Sequence, residues 1–478
     1  MPVFCRMHPL CFSPMSDLPP ALLYALKDAP GFDLASFVAV HKRGDRVNAI
    51  RINPLKRPDP DGEDPLSDLP LASPVPWSEG AYYLRERPAF FLDPLWHGGA
   101  YYVQDPSSMS IGFAIQHAAP PGPLRILDLC AAPGGKSTQL ASVMPAGSLL
   151  VANEVIGSRT AVLEENLVKW GAPGVMITRN DPRDFGGLDE FFDVILIDAP
   201  CSGSGLFRKD PAAAAEWSPD LVELCSRRQQ RITADVMGSL KPGGLLIYST
   251  CSYSPLENEA IAAFLTSRFP LEPLGIPFDP AWGIVESSDG RGQGYRFYPD
   301  KLEGEGFFLS LFQKKGTPGE RRPRKPSSRH RGVFSPLDKQ RMKILAPWVK
   351  RPEAYVAGEW NGQLVLVTEA VHDALDTLSG QLRMVRAGCA AGKIVRDQFI
   401  PEHALAMSAW AGTDVPRIAL SREEAISYLR KDPFMLPDDL RGWMMVTYQG
   451  VGLGWVKGVG GRVNNYYPTA WRIRKAAG

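Results

Sequence analysis

The sequence predicts an α/β protein with a doubly wound parallel sheet at its centre and a smaller domain on either side. From Leu124 onward, short apolar strands alternate with segments of helical spacing, which is the pattern of βαβ units. Two of these strands run into glycine-rich turns, which occur where such sheets bind ligands. The 478 residues suffice for about three domains.

The central sheet is predicted to contain five parallel strands and a closing hairpin. The parallel strands are expected at Leu124–Cys130, Leu149–Glu154, Val175–Arg179, Asp193–Asp198 and Leu245–Cys251. The hairpin joins Tyr295–Tyr298 to Gly306–Phe312 through a polar turn and adds an antiparallel strand at one edge.

Composition divides the chain into five segments. One of them is rich in Gly, Pro and Arg and lacks apolar periodicity, which indicates a flexible linker. Around it, eight basic residues between Lys314 and Arg331 face a single Glu320, although the net charge of the whole chain is only +1. The segments are an N-terminal α+β domain at 15–98, the central domain at 99–315, the basic linker at 316–335, an intermediate region at 336–391 and a β-rich domain at 392–478.

The two flanking domains have predicted elements of their own. In the N-terminal domain, the polar–apolar alternation of Val47–Asn53 predicts a half-buried strand, whose open face would present Arg51 and Asn53 to phosphates or to water. In the C-terminal domain, Ser421 is the expected N-cap of a helix. That helix and the strands after it are expected at Arg422–Leu429, Trp443–Tyr448 and Gly452–Val456.

Cysteine usage and hydropathy indicate a cytoplasmic protein. The seven cysteines are an odd number and too scattered for a disulfide scaffold, so a reducing compartment is expected. No continuous apolar segment opens the chain, and no uninterrupted apolar run approaches the roughly eighteen residues of a membrane helix. No two cysteines have Cys-x-x-Cys spacing, so a zinc site is not expected.

The first glycine-rich turn predicts a site for a nucleoside-containing cofactor. The first strand runs into Ala131–Thr138, whose small residues allow a ligand to approach and whose following helix offers free N–H groups. A P-loop is excluded because Cys130 stands where the leading glycine of that motif would be. Glu154 closes the second strand, where doubly wound folds place an acid on ribose hydroxyls. A structural turn with an accidental acid is the alternative.

Two cysteines are expected to emerge from neighbouring strand ends. Cys201 follows the fourth strand and Cys251 ends the fifth, so both thiols would reach one crevice at the carboxyl edge of the sheet. The sequence Ser254–Glu257 has the pattern of a capping box and predicts a helix just beyond Cys251, whose positive end would favour the thiolate. An inert buried thiol is the alternative for each cysteine.

At these motifs the sequence resembles the RNA cytosine-C5 methyltransferase family, which is named after nucleolar proteins and the bacterial Sun proteins. The tail, with Gly450–Gly454 and Asn464–Pro468, is similar to the PUA-like terminal domain of the bacterial small-subunit rRNA members. The motifs that carry the main resemblance are Tyr102–Ser108, Asp128–Lys136, Asp193–Gly205, Gly243–Glu259 and Gly304–Phe308.

The resemblance implies a Rossmann-like, S-adenosylmethionine-dependent methyltransferase that acts on carbon 5 of a cytosine in RNA. Cys251 would add to carbon 6 of the base, Cys201 would assist release of the methylated base, and Asp198 would hydrogen-bond the ring. DNA cytosine methyltransferases place the nucleophile in the Pro-Cys turn, so Cys251 favours RNA. The implied cofactor-binding residues are Cys130, Ala131, Ala132, Pro133, Gly134, Gly135, Lys136, Glu154, Asp181 and Asp198.

RNA is the implied partner and 16S rRNA of the small ribosomal subunit the implied substrate, with the N-terminal and PUA-like domains binding RNA. A tRNA substrate and a catalytically silent RNA-binding assembly factor are the alternatives. Neither a metal ion nor a membrane is expected, and the protein is expected to be a monomer. The linker and six basic residues are expected to meet the RNA backbone, with a solvated surface as the alternative for each: Arg51, Arg208, Lys209, Arg227, Arg228 and Arg231.

Overall fold

The computed structural model describes residues 18–56, 66, 68–288, 293–316, 334–433, 440–460 and 462–474. The predicted basic linker at 316–335 falls almost entirely outside these residues. Residues 15–17 of the predicted N-terminal domain, together with Cys5 and Cys11, also lie outside them.

The N-terminal part of the chain is a small α+β unit that packs on the central domain. Its helices are α1 (Pro20–Leu26), α2 (Leu34–Arg43) and α3 (Pro94–His97), and its strands are β1 (Ala49–Ile52), β2 (Leu71–Pro74), β3 (Ala81–Leu84) and β4 (Tyr101–Val103). The described strands pair antiparallel in the order β2-β3-β1-β4. Phe37 of α2 reaches the central domain, where its ring lies 4.9 Å from that of Tyr253.

The central domain is a mixed sheet with helices on both faces, as the sequence predicted. Its helices are α4 (Ser110–Ala118), α5 (Gly135–Val143), α6 (Gly157–Trp170), α7 (Pro211–Glu216), α8 (Pro219–Val236) and α9 (Glu259–Arg268). Its strands are β5 (Arg125–Asp128), β6 (Leu149–Asn153), β7 (Val175–Thr178), β8 (Phe192–Asp198), β9 (Leu240–Thr250), β10 (Leu271–Pro273), β11 (Val285–Ser288), β12 (Gln293–Phe297) and β13 (Phe307–Lys314).

The strand order places the predicted parallel strands at the middle of the sheet. In the described chain the order is β7-β6-β5-β8-β9 for the parallel strands, and β13, β12 and β11 follow β9 as antiparallel neighbours. The predicted closing hairpin is therefore confirmed. The order reverses direction at β5, since β6 lies on one side of it and β8 on the other, and ligands bind at such switch points.

Alternating side chains of the central strands feed two separate cores, one on each face of the sheet. Leu127, Ile195 and Leu246 are aligned across β5, β8 and β9 and pack on one face. Their neighbours Ile126, Leu196 and Ile247 pack on the other face. Because both faces are covered, these strands are apolar without interruption.

The C-terminal part of the chain contains two further sheets. Its helices are α10 (Lys339–Leu345), α11 (Glu369–Ser379), α12 (His403–Met407) and α13 (Arg422–Arg430). Its strands are β14 (Ser335–Pro336), β15 (Val356–Trp360), β16 (Gln363–Val367), β17 (Met384–Ala387), β18 (Cys389–Val395), β19 (Gln398–Pro401), β20 (Arg417–Ala419), β21 (Gly442–Tyr448), β22 (Val451–Val459) and β23 (Arg462–Asn465). Ser421 caps α13 as predicted, in a capping box with Glu424.

One strand of the segment at 336–391 belongs to the central sheet rather than to its own region. Strand β17 pairs antiparallel with β7 at the edge of that sheet. The strands β14, β15, β16, β18 and β19 form a separate sheet, in which β18 crosses the expected boundary between residues 391 and 392. No helix in the described ranges is both long and apolar enough to cross a lipid bilayer.

The expectation that β1 presents an open face is wrong, because that face packs on the central domain. Arg51 is only 3% exposed and Asn53 is fully buried. The Arg51 guanidinium donates to Thr138 Oγ1 at 2.6 Å, and Asn53 Nδ2 donates to the carbonyl oxygen of Trp170 at 2.8 Å. Both polar side chains therefore bind the first and last turns of central helices instead of phosphates.

A buried ion pair supports the loop that follows β9. The Arg296 guanidinium donates to both carboxylate oxygens of Glu259, at 2.6 and 2.5 Å, and to the carbonyl oxygen of Tyr253 at 2.9 Å. Removing one partner of such a pair leaves a buried charge without compensation.

We predict that Glu259→Ala lowers the free energy of unfolding by about 3–5 kcal/mol, as measured by chemical denaturation. The double variant Glu259→Leu/Arg296→Met should recover most of that loss, because neither charge remains buried. A loss below about 1 kcal/mol for the single variant, as for an exposed pair, would contradict the burial of these charges.

Candidate active site

The turn between β5 and α5 forms a cradle of small residues at the switch point of the sheet. Gly134 has a φ of +116°, a conformation that side chains rarely adopt. A Cβ atom on Gly135 would lie 3.2 Å from the Tyr102 ring. Arg159 and Asn166 of α6 donate to the carbonyl oxygens of Ala132 and Pro133, each at 2.8 Å. Polar side chains of α6 therefore hold the backbone of the cradle in place.

Acidic side chains end the strands around this cradle. Asp128 is fully buried, which raises its pKa to about 7, and only one of its oxygens is bonded, by Ser137 Oγ at 2.6 Å. Glu154 at the end of β6 accepts the backbone N–H of Ile156 at 2.9 Å. Asp181, after β7, caps the following 3-10 turn and is partly exposed.

The remaining expected cofactor residues also lie in or beside this cradle. Cys130, Ala131, Ala132 and Pro133 form the turn itself, and Lys136 lies in the first turn of α5. Burial raises the pKa of the Cys130 thiol, with the nearby carboxylates adding to the effect. Cys130 is therefore a neutral part of the turn. Across the described chain, no three His, Cys, Asp or Glu side chains converge as a metal-binding group.

Lys136 connects the cradle to the end of β8. Its ammonium donates to Asp198 Oδ2 at 2.8 Å, and the other Asp198 oxygen accepts from Ser249 Oγ of β9 at 2.8 Å. Burial alone would lower the pKa of Lys136, but the charges of Asp198 and then of Cys251 raise it above its ordinary value. A cation, a carboxylate and a hydroxyl thus bridge three strand ends.

The two expected cysteines lie next to each other. Parallel pairing aligns Asp198 of β8 with Ser249 of β9, so the turns that follow both strands leave the sheet at one level. The Sγ atoms of Cys201 and Cys251 are 3.1 Å apart, and both residues are partly exposed. Two thiols therefore face one crevice beside Asp198, which is the arrangement that the sequence predicted.

The surroundings of the two thiols differ. The hydrogen bond to Cys251, then burial, then the charges of Cys251 and Glu257 raise the pKa of the Cys201 thiol well above its ordinary value. The charge of Cys251 instead acts on Lys136, whose pKa it helps to raise. The two thiols therefore have different electrostatic surroundings, and either sulfur can donate the hydrogen bond between them.

The prediction that a helix begins just beyond Cys251 is wrong. Residues 254–258 form a turn, and α9 begins only at Glu259. Glu257 is not a capping residue, because its buried carboxylate accepts the hydroxyls of Ser202 and Ser252, each at 2.6 Å. A side-chain network rather than a helix terminus follows the thiol. Sequence reasoning missed this network. The feature of the sequence that indicates it is the acidic pair Glu257 and Glu259, on either side of Asn258 at the start of an apolar helix.

One of the basic residues expected to meet RNA is also misplaced. Arg208 is 6% exposed and forms a buried ion pair with Glu305 at 3.0 Å, because its turn is covered by the loop before β13. The other expected positions outside β1 stay at least partly exposed: Lys209, Arg227, Arg228 and Arg231.

Three family models match separate parts of the chain. Residues 117–313 match "16S rRNA methyltransferase RsmB/F". Residues 18–106 match the "N-terminal domain of 16S rRNA methyltransferase RsmF", and residues 415–473 match the "Methyltransferase RsmF PUA domain".

Curated relatives and a solved structure extend these matches. The chain is 32% identical to ribosomal RNA small subunit methyltransferase F of Klebsiella pneumoniae, over 83% of this chain and 84% of the relative. It is 30% identical to the protein of that name from Shewanella loihica, over 83% and 82%. The crystal structure of PH0851 aligns with a TM-score of 0.54 at 26% identity, over 62% of this chain and 66% of that one. With these similarities, and with family models that match residues 18–106, 117–313 and 415–473, the chain belongs to the RsmB/F family of 16S rRNA methyltransferases.

Proposed function

We propose that this protein transfers the methyl group of S-adenosylmethionine to carbon 5 of a cytosine in 16S rRNA, through a covalent adduct with Cys251. The observation that carries the proposal is the pair of thiols 3.1 Å apart beside Asp198, next to the cradle between β5 and α5. A methyltransferase that acted on a nitrogen or a hydroxyl would have no use for two adjacent thiols.

The residues of the cradle suit S-adenosylmethionine, which when bound supplies an activated methyl group. Glu154 follows β6, where doubly wound folds have an acid that binds ribose hydroxyls, and its carboxylate also accepts the Ile156 N–H and lies 3.3 Å from the Arg159 guanidinium. The two residues after it, Val155 and Ile156, are exposed aliphatics at 53% and 49%, which suit the face of an adenine ring. The unbonded Asp128 oxygen and the cradle between β5 and α5 complete a site for a polar, nucleoside-containing molecule.

Carbon 5 of cytosine is a weak nucleophile, so covalent addition at carbon 6 must activate it. The Cys251 thiolate would form a C–S bond at carbon 6, and the electron pair of the 5,6 double bond would move to carbon 5. Carbon 5 would then take the methyl group, and the donor sulfur would keep the electron pair of the broken S–CH3 bond and leave as S-adenosylhomocysteine. Lys136, which binds Asp198 at 2.8 Å, is close enough to Cys251 for a charge on that sulfur to help raise the pKa of Lys136. This neighbouring cation supports Cys251 as the nucleophile.

Release of the product reverses the addition. Carbon 5 loses its proton to a base, the double bond re-forms, and the C–S bond breaks as Cys251 regains its electron pair. The Cys201 thiol, 3.1 Å away, donates its hydrogen bond to the departing sulfur. Its raised pKa keeps it protonated for this role.

The hydrogen bonds of Asp198 support a role in orienting the base. Its two oxygens accept from Lys136 and Ser249, and each carboxylate oxygen can accept a second hydrogen bond. A cytosine that leaves its stack can donate its exocyclic amine to this carboxylate while carbon 6 faces Cys251. Asp198 would then fix the base edge and stabilise charge on the ring as the adduct forms.

The product identifies the reaction directly. Purified protein is incubated with S-adenosylmethionine and small-subunit RNA that lacks its own modifications, and the RNA is then digested to nucleosides. We expect 5-methylcytidine, whose position bisulfite sequencing then locates. Methylation of tRNA alone, methylation at another atom, or no methylation of any RNA would contradict the proposal.

The two cysteines should respond differently to substitution. Cys251→Ala should reduce methyl transfer by a factor on the order of a thousand or more and form no adduct, because the nucleophile is gone. Cys201→Ala should accumulate a covalent protein–RNA complex that survives denaturing electrophoresis, because release is impaired. The opposite pattern would assign the nucleophile to Cys201.

A further inference from the structure

Glu257 links the two turns that carry the thiols. Its Oε2 accepts the Ser202 hydroxyl and the Ser252 hydroxyl, each at 2.6 Å, and its Oε1 accepts the backbone N–H of Ser202 at 2.7 Å. Ser202 directly follows Cys201, and Ser252 directly follows Cys251. One carboxylate therefore bonds the residue next to each reactive sulfur.

The side chain is held firmly in this position. Glu257 is fully buried, and Tyr248 of β9 donates its hydroxyl to the Glu257 carbonyl oxygen at 2.6 Å. Gln229 of α8 donates to Pro200 O at 3.0 Å and reaches Glu257 Oε1 at 3.4 Å. Within the described residues Glu257 forms no salt bridge, so hydrogen bonds alone compensate its charge. A carboxylate buried at this cost points to a function other than packing.

The contacts hold the Cys201 turn more strongly than the Cys251 turn. Ser202 gives Glu257 both a backbone N–H and a hydroxyl, whereas Ser252 gives one hydroxyl and also accepts the N–H of Ser254 at 3.0 Å. Cys251 continues a strand that β8 and β13 hold on both sides, whereas the Cys201 turn is outside the sheet ladder and is held by single bonds, among them Gln229 to Pro200 O at 3.0 Å and Gly205 N–H to Cys251 O at 2.9 Å. Loss of Glu257 should therefore displace Cys201 first.

We propose that Glu257 is a positioning residue that holds Cys201 against Cys251 and thereby sets the rate at which the methylated base is released. The inference rests on the proposed function, in which Cys201 assists that release. The side-chain carboxylate of Glu257 bonds Ser202, Ser252 and Gln229. Its effect passes through Ser202 to the thiol beside it.

The test compares Glu257→Gln, which keeps the shape of the side chain but offers one acceptor oxygen instead of two, with Asp93→Asn. Asp93 is a partly buried carboxylate in the N-terminal unit that accepts from Leu95 N and Tyr101, far along the chain from both thiols. We expect Glu257→Gln to lower kcat by roughly 10- to 100-fold, as displacement of a reacting group by about 1 Å does, with little change in KM for S-adenosylmethionine. We also expect it to accumulate the covalent protein–RNA complex, whereas Asp93→Asn should not.

A second readout measures the position of the thiols without catalysis. The thiol oxidant diamide converts two adjacent thiols to a disulfide and is itself reduced to the hydrazine. We expect Cys201 and Cys251 of the unaltered protein and of Asp93→Asn to form a disulfide readily, as detected by peptide mass spectrometry. In Glu257→Gln the rate should fall by about tenfold or more, because the sulfurs no longer meet.

The outcomes separate this inference from the function on which it rests. If Cys201→Ala accumulates the complex but Glu257→Gln does not, and its disulfide forms at the unaltered rate, the role of Glu257 is wrong and the proposed function stands. If Cys201→Ala accumulates no complex, the release role of Cys201 and the positioning role of Glu257 are both wrong, whereas the transfer of a methyl group through Cys251 is tested separately by the formation of 5-methylcytidine. Loss of activity in Glu257→Gln in proportion to loss of folded protein would also overturn the positioning role.

Discussion

The parallel pairing of β8 with β9 is the constraint on which the site depends. The register that aligns Asp198 with Ser249 brings two consecutive turns of the sheet to one level, although fifty residues of chain separate the cysteines they carry. Buried aliphatic side chains on both faces fix this register, because a shift by one residue would move every side chain of a strand from its own core to the core on the opposite face. The 3.1 Å separation of the sulfurs depends on this register and on local bonds between the two turns, such as that from the Gly205 N–H to the Cys251 carbonyl oxygen at 2.9 Å.

Equal side chains acquire unequal chemistry from their surroundings. The charges of Asp198 and Cys251 raise the pKa of Lys136 against the effect of its burial. The hydrogen bond with Cys251, then burial and the charges of Cys251 and Glu257 raise the pKa of the Cys201 thiol. In the proposed mechanism Cys201 keeps its proton and Cys251 supplies the electron pair. Lys136 serves both halves of the site, since it also binds Asp198 next to the cofactor cradle.

Sequence reasoning succeeded where the chain is locally periodic. Apolar runs in the sequence predicted the parallel strands, their ends and the closing hairpin, and a cap residue predicted the start of α13. Burial between domains depends on residues that are distant in sequence, so the local pattern of β1 could not show it. Arg51 and Asn53 were expected on an open face, but both are buried where β1 packs on the central helices. Strand β17 was missed for the same reason, because an edge strand is recognised by its partner β7 and not by its own short sequence.

The helix expected after Cys251 shows a different limit. A Ser-Pro-x-Glu sequence suits a capping box, but Glu257 finds stronger partners in Ser202 and Ser252. A helix cap stabilises by about 1 kcal/mol, which is less than the cost of leaving a buried carboxylate without hydrogen bonds. The site residue with the most contacts to both turns was therefore the one that sequence reasoning assigned to a helix terminus.

The identity of the sulfur bonded to RNA tests the account most directly. RNA containing 5-fluorocytidine cannot lose a proton from carbon 5, so after methyl transfer the adduct cannot be released. Digestion of that complex and mass spectrometry of the nucleotide-bearing peptide should place the nucleotide on Cys251. A nucleotide on Cys201, or no covalent complex at all, would contradict the central claim.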